Sequence, residues 1–176
     1  MAELIPLTPL AGRHAVSAAG CRLTVLELGP VAAIQPFPGG GADTALRARG
    51  LGFPAPGRSL EAEGVRIVWA GREMALLIGA PPGAVEGAAV IDVTDGWAGM
   101  ALSGARGWEV LARLVPIDLR PAAFGEGTAA RTLLNHVPAL ILRRGETLEI
   151  LVPASYARTA WHEVAAAMEL LAVRAG

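Results

Sequence analysis

Apolar residues recur along this 176-residue chain at two different spacings, and the switches between them mark its elements. Residues 22–28 carry Leu23, Val25 and Leu26 and predict a strand, with a second at 31–35. The breakers of 36–41 (PFPGGG) predict a loop, and 42–49 predict a short helix stopped by Gly50. Residues 65–70 and 74–78 read as two strands around a Gly71-Arg72 turn. Residues 89–93 and 97–102 follow as strands on either side of an Asp95-Gly96 turn. At 106–115 the spacing becomes helical, with Trp108, Leu111, Leu114 and Val115 on one face and Pro116 as the stop. Residues 128–134, 137–142 and 147–152 predict three further strands. A closing helix starts near residues 154–155 and carries an apolar stripe of Trp161, Val164, Met168 and Leu171.

Strands dominate this order and helices interrupt them singly. That predicts an α+β fold with a mainly antiparallel sheet and helices packed on one face, not the regular alternation of a dinucleotide-binding fold. Residues 1–20 predict an N-terminal arm with a weak helical stretch, and residues 21–176 a single domain. The Pro- and Gly-rich segment 52–59 is the place for a boundary inside that domain.

Composition removes whole classes of chemistry. All 15 basic residues are arginine. Without lysine there is no Schiff-base lysine and no phosphate-binding loop that ends in Lys-Ser/Thr. A net charge of −1 gives no electrostatic argument for nucleic acid or anionic lipid. Cys21 is the single cysteine, so an internal disulfide and a Cys-x-x-Cys pair are both impossible. The cytoplasm is the expected compartment, and residues 1–9 lack the basic start of a signal peptide. No apolar run reaches the ~18 residues of a membrane span. The chain is 53% hydrophobic and only 18% charged, so part of its surface is expected to be covered by a partner and to self-associate in isolation.

Candidate chemistry is sparse. His14, His136 and His162 lie far apart in sequence with no ligand spacing, so no metal site is expected. Asp92 and Asp95 read as a carboxylate pair or, better, as a strand end with Asp and Thr side chains bonded to a tight turn. Gly39-Gly40-Gly41 lacks the spacing of a phosphate cradle, and Ser103-Gly104 does not form a nucleophile elbow. Arg131, Asn135 and His136 bracket a strand and its turn, where they read either as contacts to an anionic ligand or a partner or as a solvated strand edge. Trp69, Trp97, Trp108 and Trp161 are core candidates, one or two of which would face a partner. The absence of a catalytic constellation favours a binding or assembly module over an enzyme.

A series of short runs resembles the gamma subunit of heterotetrameric sarcosine oxidase. They are WAGREMALL at 69–77, VIDVTDGW at 90–97, LSGARGWEVLA at 102–112, PIDLRPAAF at 116–124, GTAARTLL at 127–134 and LEILVPASYARTAWH at 148–162. The resemblance spans residues 22–172. It implies a fold similar to the folate-binding domain of the aminomethyltransferases, and a non-catalytic structural role. It also implies alpha, beta and delta partner subunits that carry the FAD, FMN, NAD and zinc of the complex, with none bound by this chain. Aminomethyltransferases place a Gly-Gly-x-x-Asp-Asp type turn and strand after the Arg-Thr-Leu-Leu region, 131–134 here. Here 135–140 read NHVPAL, with no carboxylate to face a folate. A stand-alone folate-binding module is the alternative, and a small-ligand sensor that shares only the fold is a third reading.

Overall fold

A computed structural model describes residues 7–81 and 83–174. All strand pairs in it are antiparallel. The α+β expectation holds, and the strands divide into two sheets. The first runs β1 (Val16–Ala18), β2 (Cys21–Leu26), β8 (Trp97–Ser103), β11 (Thr147–Pro153), β10 (Val137–Arg144) and β9 (Ala129–Leu134), in that spatial order. The second runs β4 (Ser59–Ala62), β5 (Val65–Gly71), β6 (Met74–Ile78), β3 (Val31–Pro36) and β7 (Ala88–Asp92). The helices are α1 (Ala42–Arg47), α2 (Gly107–Leu111) and α3 (Ala157–Val173).

The sheets pack face to face through Val31, Val68, Leu76 and Ile78 against Ala129, Leu140, Leu142 and Leu151. On the outer face of the first sheet, Leu23, Met100, Leu102, Ile141 and Ile150 meet Val110 and Leu111 of α2 and the Trp161–Val164–Met168–Leu171 stripe of α3. On the outer face of the second, Ile34, Ile67 and Leu77 meet Ala42 and Leu46 of α1. Each sheet thus keeps its helical cover on its own outer side. The central strands are buried on both faces, which is why 139–142 and 150–152 are continuously apolar instead of alternating.

Several bounds differ from the sequence reading. Residues 7–20 contain no helix: Ala11 and Arg13 donate backbone bonds into a turn, and the chain then enters β1 against β2. Pro9 and Gly12, the latter at φ +77°, favour turns over a helix there. Leu10 is buried in the helix-side core, so this part of the expected arm belongs to the fold. The remainder of the arm, 1–6, lies outside the described residues. Segment 52–59 follows α1 and runs into the first residue of β4, and β3 before it pairs with β6 and β7 after it. Helix α2 stops at Leu111, short of the expected 115. Among the described residues no helix is long and apolar enough to cross a membrane.

Candidate functional site

The three candidates at the β9–β10 hairpin do not converge. Arg131 leaves β9 toward the second sheet, and its Nη1 donates to the Ala70 carbonyl oxygen at 3.3 Å. Asn135 forms the turn with φ +50°, in the left-handed region that Asn tolerates. Its backbone N–H donates to the Leu114 carbonyl at 2.7 Å, and its Nδ2 donates to Glu163 Oε2 on α3 at 2.9 Å. Arg131 therefore links the two sheets, whereas Asn135 ties the hairpin to the helix layer. His136 is exposed beside Asn135.

The carboxylates at the end of β7 adopt the turn arrangement. Asp92 Oδ1 accepts from the Thr94 backbone N–H at 2.9 Å and from its hydroxyl at 2.7 Å. The Thr94 hydroxyl oxygen in turn accepts from the Val31 N–H at 3.0 Å. These bonds hold the Asp92 carboxyl below the ordinary carboxylate range, the backbone bond being the larger cause. Residues Thr94–Gly96 form one 3-10 turn with Asp95 exposed. Two concavities share this corner. One, of about 760 Å³, is lined by Pro30, Pro81 and residues 92–96. The other, of about 740 Å³, runs from Leu7 and Leu10 to Leu26, Leu28, Trp97 and Gly99, with Glu27 and Asp95 among its lining. Among the described residues neither lining includes a histidine, a cysteine or a basic side chain.

The other sequence motifs are absorbed by packing. Gly40 and Gly87 cross backbone to backbone: a Cβ on Gly87 would overlap the Gly40 carbonyl, and Phe37 N–H donates to the Gly87 carbonyl at 2.8 Å. The triple glycine therefore serves a close loop crossing. Cys21 is buried, which pushes its thiol pKa up and keeps it from being a ready nucleophile. Among the described residues no group of three or more His, Cys, Asp or Glu side chains is placed to hold a metal.

A charged network invisible in the sequence closes one end of the sheet–sheet layer. Glu149 of β11 and Arg66 of β5 form a buried ion pair that joins the two sheets. Arg144 Nη1 lies 3.2 Å from Glu149 Oε1, and its Nη2 lies 3.1 Å from Glu61 Oε1 on β4. Next to it, buried Arg143 donates from Nη2 to the Leu119 carbonyl at 2.7 Å and so pins the loop after α2. Burial pushes its guanidinium pKa down. The pairs 66/149 and 61/144 are each 83 residues apart in sequence, so no local spacing signals them.

No family model matches the chain. It is similar to the sarcosine oxidase subunit gamma of Corynebacterium sp. (strain P-1), 32% identical over 150 residues, covering 77% of this chain and 73% of that relative. It is also 32% identical over 134 residues to the sarcosine oxidase subunit gamma of Arthrobacter sp., covering 68% of this chain and 66% of that relative. The fold superimposes with a TM-score of 0.80 on one chain of the heterotetrameric sarcosine oxidase from Corynebacterium sp. U-96 in complex with pyrrole 2-carboxylate, at 24% identity, covering 93% of this chain and 94% of that one. Sequence similarity sustained along most of both chains, on the same architecture, makes this chain a member of the sarcosine oxidase gamma subunit family.

Proposed function

We propose that this chain is a structural subunit of a heterotetrameric sarcosine oxidase, assembling with alpha, beta and delta subunits in the cytoplasm and stabilising them. In this reading the complex converts sarcosine, tetrahydrofolate and O2 to glycine, 5,10-methylenetetrahydrofolate and hydrogen peroxide. The partner subunits hold the FAD, FMN, NAD and zinc. The observation that carries the reading is the 32% identity to a gamma subunit over 77% of the chain. The use of the buried charges adds support. Arg66 and Glu149 pair across the two sheets, and Arg143 donates to the Leu119 carbonyl, so these charges tie strands and a loop together.

The test is omission. The alpha, beta and delta subunits from the same genome are expressed with and without this chain, and sarcosine-dependent peroxide release is followed through a heating series. The expected result is lower yield or faster thermal inactivation of the complex when the chain is absent. Equal yield, activity and thermal stability with and without it would overturn the assembly role.

A further inference from the structure

The edges of the two sheets are finished differently. β1 has only three residues. The start of β4 is bonded to the start of β9: Ser59 N–H donates to the Gly127 carbonyl at 2.9 Å, and Arg58 bridges Thr128. Ala129 N–H of β9 donates to the Gly57 carbonyl at 2.8 Å, and Arg131 guards the middle of that strand. Among the described residues the β7 edge has no such cover. It reads Ala88-Ala89-Val90-Ile91-Asp92, with neither proline nor a basic residue. Short edges, prolines and charges are the usual means by which a strand edge is kept from pairing.

The register shows which groups are free. Val93 N–H donates to the Val31 carbonyl, and Phe37 N–H to the Gly87 carbonyl. Bonding to β3 therefore falls on the odd positions 87, 89, 91 and 93. Val90 and Asp92 direct their N–H and C=O groups away from the sheet. Ile91 is 49% exposed.

We infer that β7 is a docking edge, onto which an extended apolar segment of a partner subunit adds as a sixth strand of the second sheet. Backbone groups at Val90 and Asp92 supply the hydrogen bonds, and an apolar side chain of the incoming segment covers Ile91. Charge selects the occupant. Glu86 precedes the strand, and Asp92 and Asp95 follow its middle. Among the described residues no salt bridge engages any of the three. A second copy pairing antiparallel about Val90 would set Glu86 opposite Thr94, with its carboxylate beside Asp92 and Asp95 of the other copy. Like charges so placed oppose self-pairing. The fitting partner segment instead carries arginine or lysine at the end that meets Asp92 and Asp95, where the 760 Å³ concavity opens.

This inference rests on the subunit reading above. The experiment is tag pull-down of co-expressed alpha, beta and delta subunits by this chain and three variants. Val90→Pro removes an outward N–H and leaves the bonds to β3 in place. Asp95→Arg reverses an exposed charge. Leu133→Pro makes the matching change on the β9 edge. Expected is a fall of about tenfold or more in captured partner for Val90→Pro and a smaller fall for Asp95→Arg, with Leu133→Pro equal to wild type. Should Val90→Pro lose its melting transition, Asp95→Arg alone decides. Wild-type capture by folded Val90→Pro or by Asp95→Arg, or loss confined to Leu133→Pro, overturns the docking edge while the subunit reading stands. Failure of the wild-type chain to capture any partner overturns both.

Discussion

Replacing Glu149 with Gln leaves the Arg66 guanidinium between the two sheets without its countercharge. Breaking one partner of a buried pair costs about 3–5 kcal/mol, far more than the pair itself contributes against an apolar replacement. The Glu149→Gln variant should therefore unfold at a clearly lower urea concentration than wild type. Arg47→Ala, which breaks an exposed pair with Asp43, should stay within about 1 kcal/mol of it. Acid acts through other residues. Asp118, bonded to Arg120 by side chain and backbone, has its pKa lowered from 3.8 to about 2. Asp43, Asp92 and Glu109 are also lowered, by Arg47, Thr94 and Arg106 respectively. Groups lowered in the folded state stabilise it above their unfolded pKa, and that contribution disappears as they protonate. The thermal midpoint should accordingly hold down to about pH 5 and fall between about pH 4 and pH 2. A midpoint flat across that interval would contradict these assignments. None of the ion-pair partners across the sheets could be read from the sequence, because a residue's spacing identifies its face and not the strand opposite.

At the scale of elements, the glycine crossing gives a clean comparison. Gly12 and Gly87 have nearly the same φ, +77° and +78°. A Cβ at Gly12 meets nothing within 4 Å, whereas one at Gly87 meets the Gly40 backbone. Both alanine variants carry the left-handed backbone cost of about 1–2 kcal/mol, and Gly87→Ala adds a backbone displacement to it. It should be the less stable of the two by urea unfolding, and equal midpoints would mean that the two loops do not cross. Elements with strong patterns were legible in advance: β6 has the expected bounds, and α3 buries the expected stripe. β4 was not, because Ser59-Leu60-Glu61-Ala62 alternates over only four residues, with two apolar positions, and follows a Pro/Gly-rich run. Its position comes from pairing with β5. The short β1 likewise forms because β2 offers it an edge. The division into two sheets was also hidden, since β8 and β7 are consecutive strands that belong to different sheets.

At the scale of the molecule, two sheets joined through a shared apolar layer leave each outer face to its helices, and the buried charges hold the layers together. In this architecture the candidates read from the sequence lie apart. The hairpin candidates Arg131 and Asn135 point into different layers, and Asp92 is engaged by its own turn. Family membership was legible because the short runs that carry it lie mostly on strands and turns of the frame. The docking edge was not, because an unpaired strand edge exists only once the strand order is known. The central claim is that this frame acts inside a larger complex, and size-exclusion chromatography of the tagged chain co-expressed with alpha, beta and delta subunits tests it most directly. The account predicts one flavin-coloured peak that contains all four chains. A colourless peak of this chain alone, with the flavin in a separate complex, would contradict it.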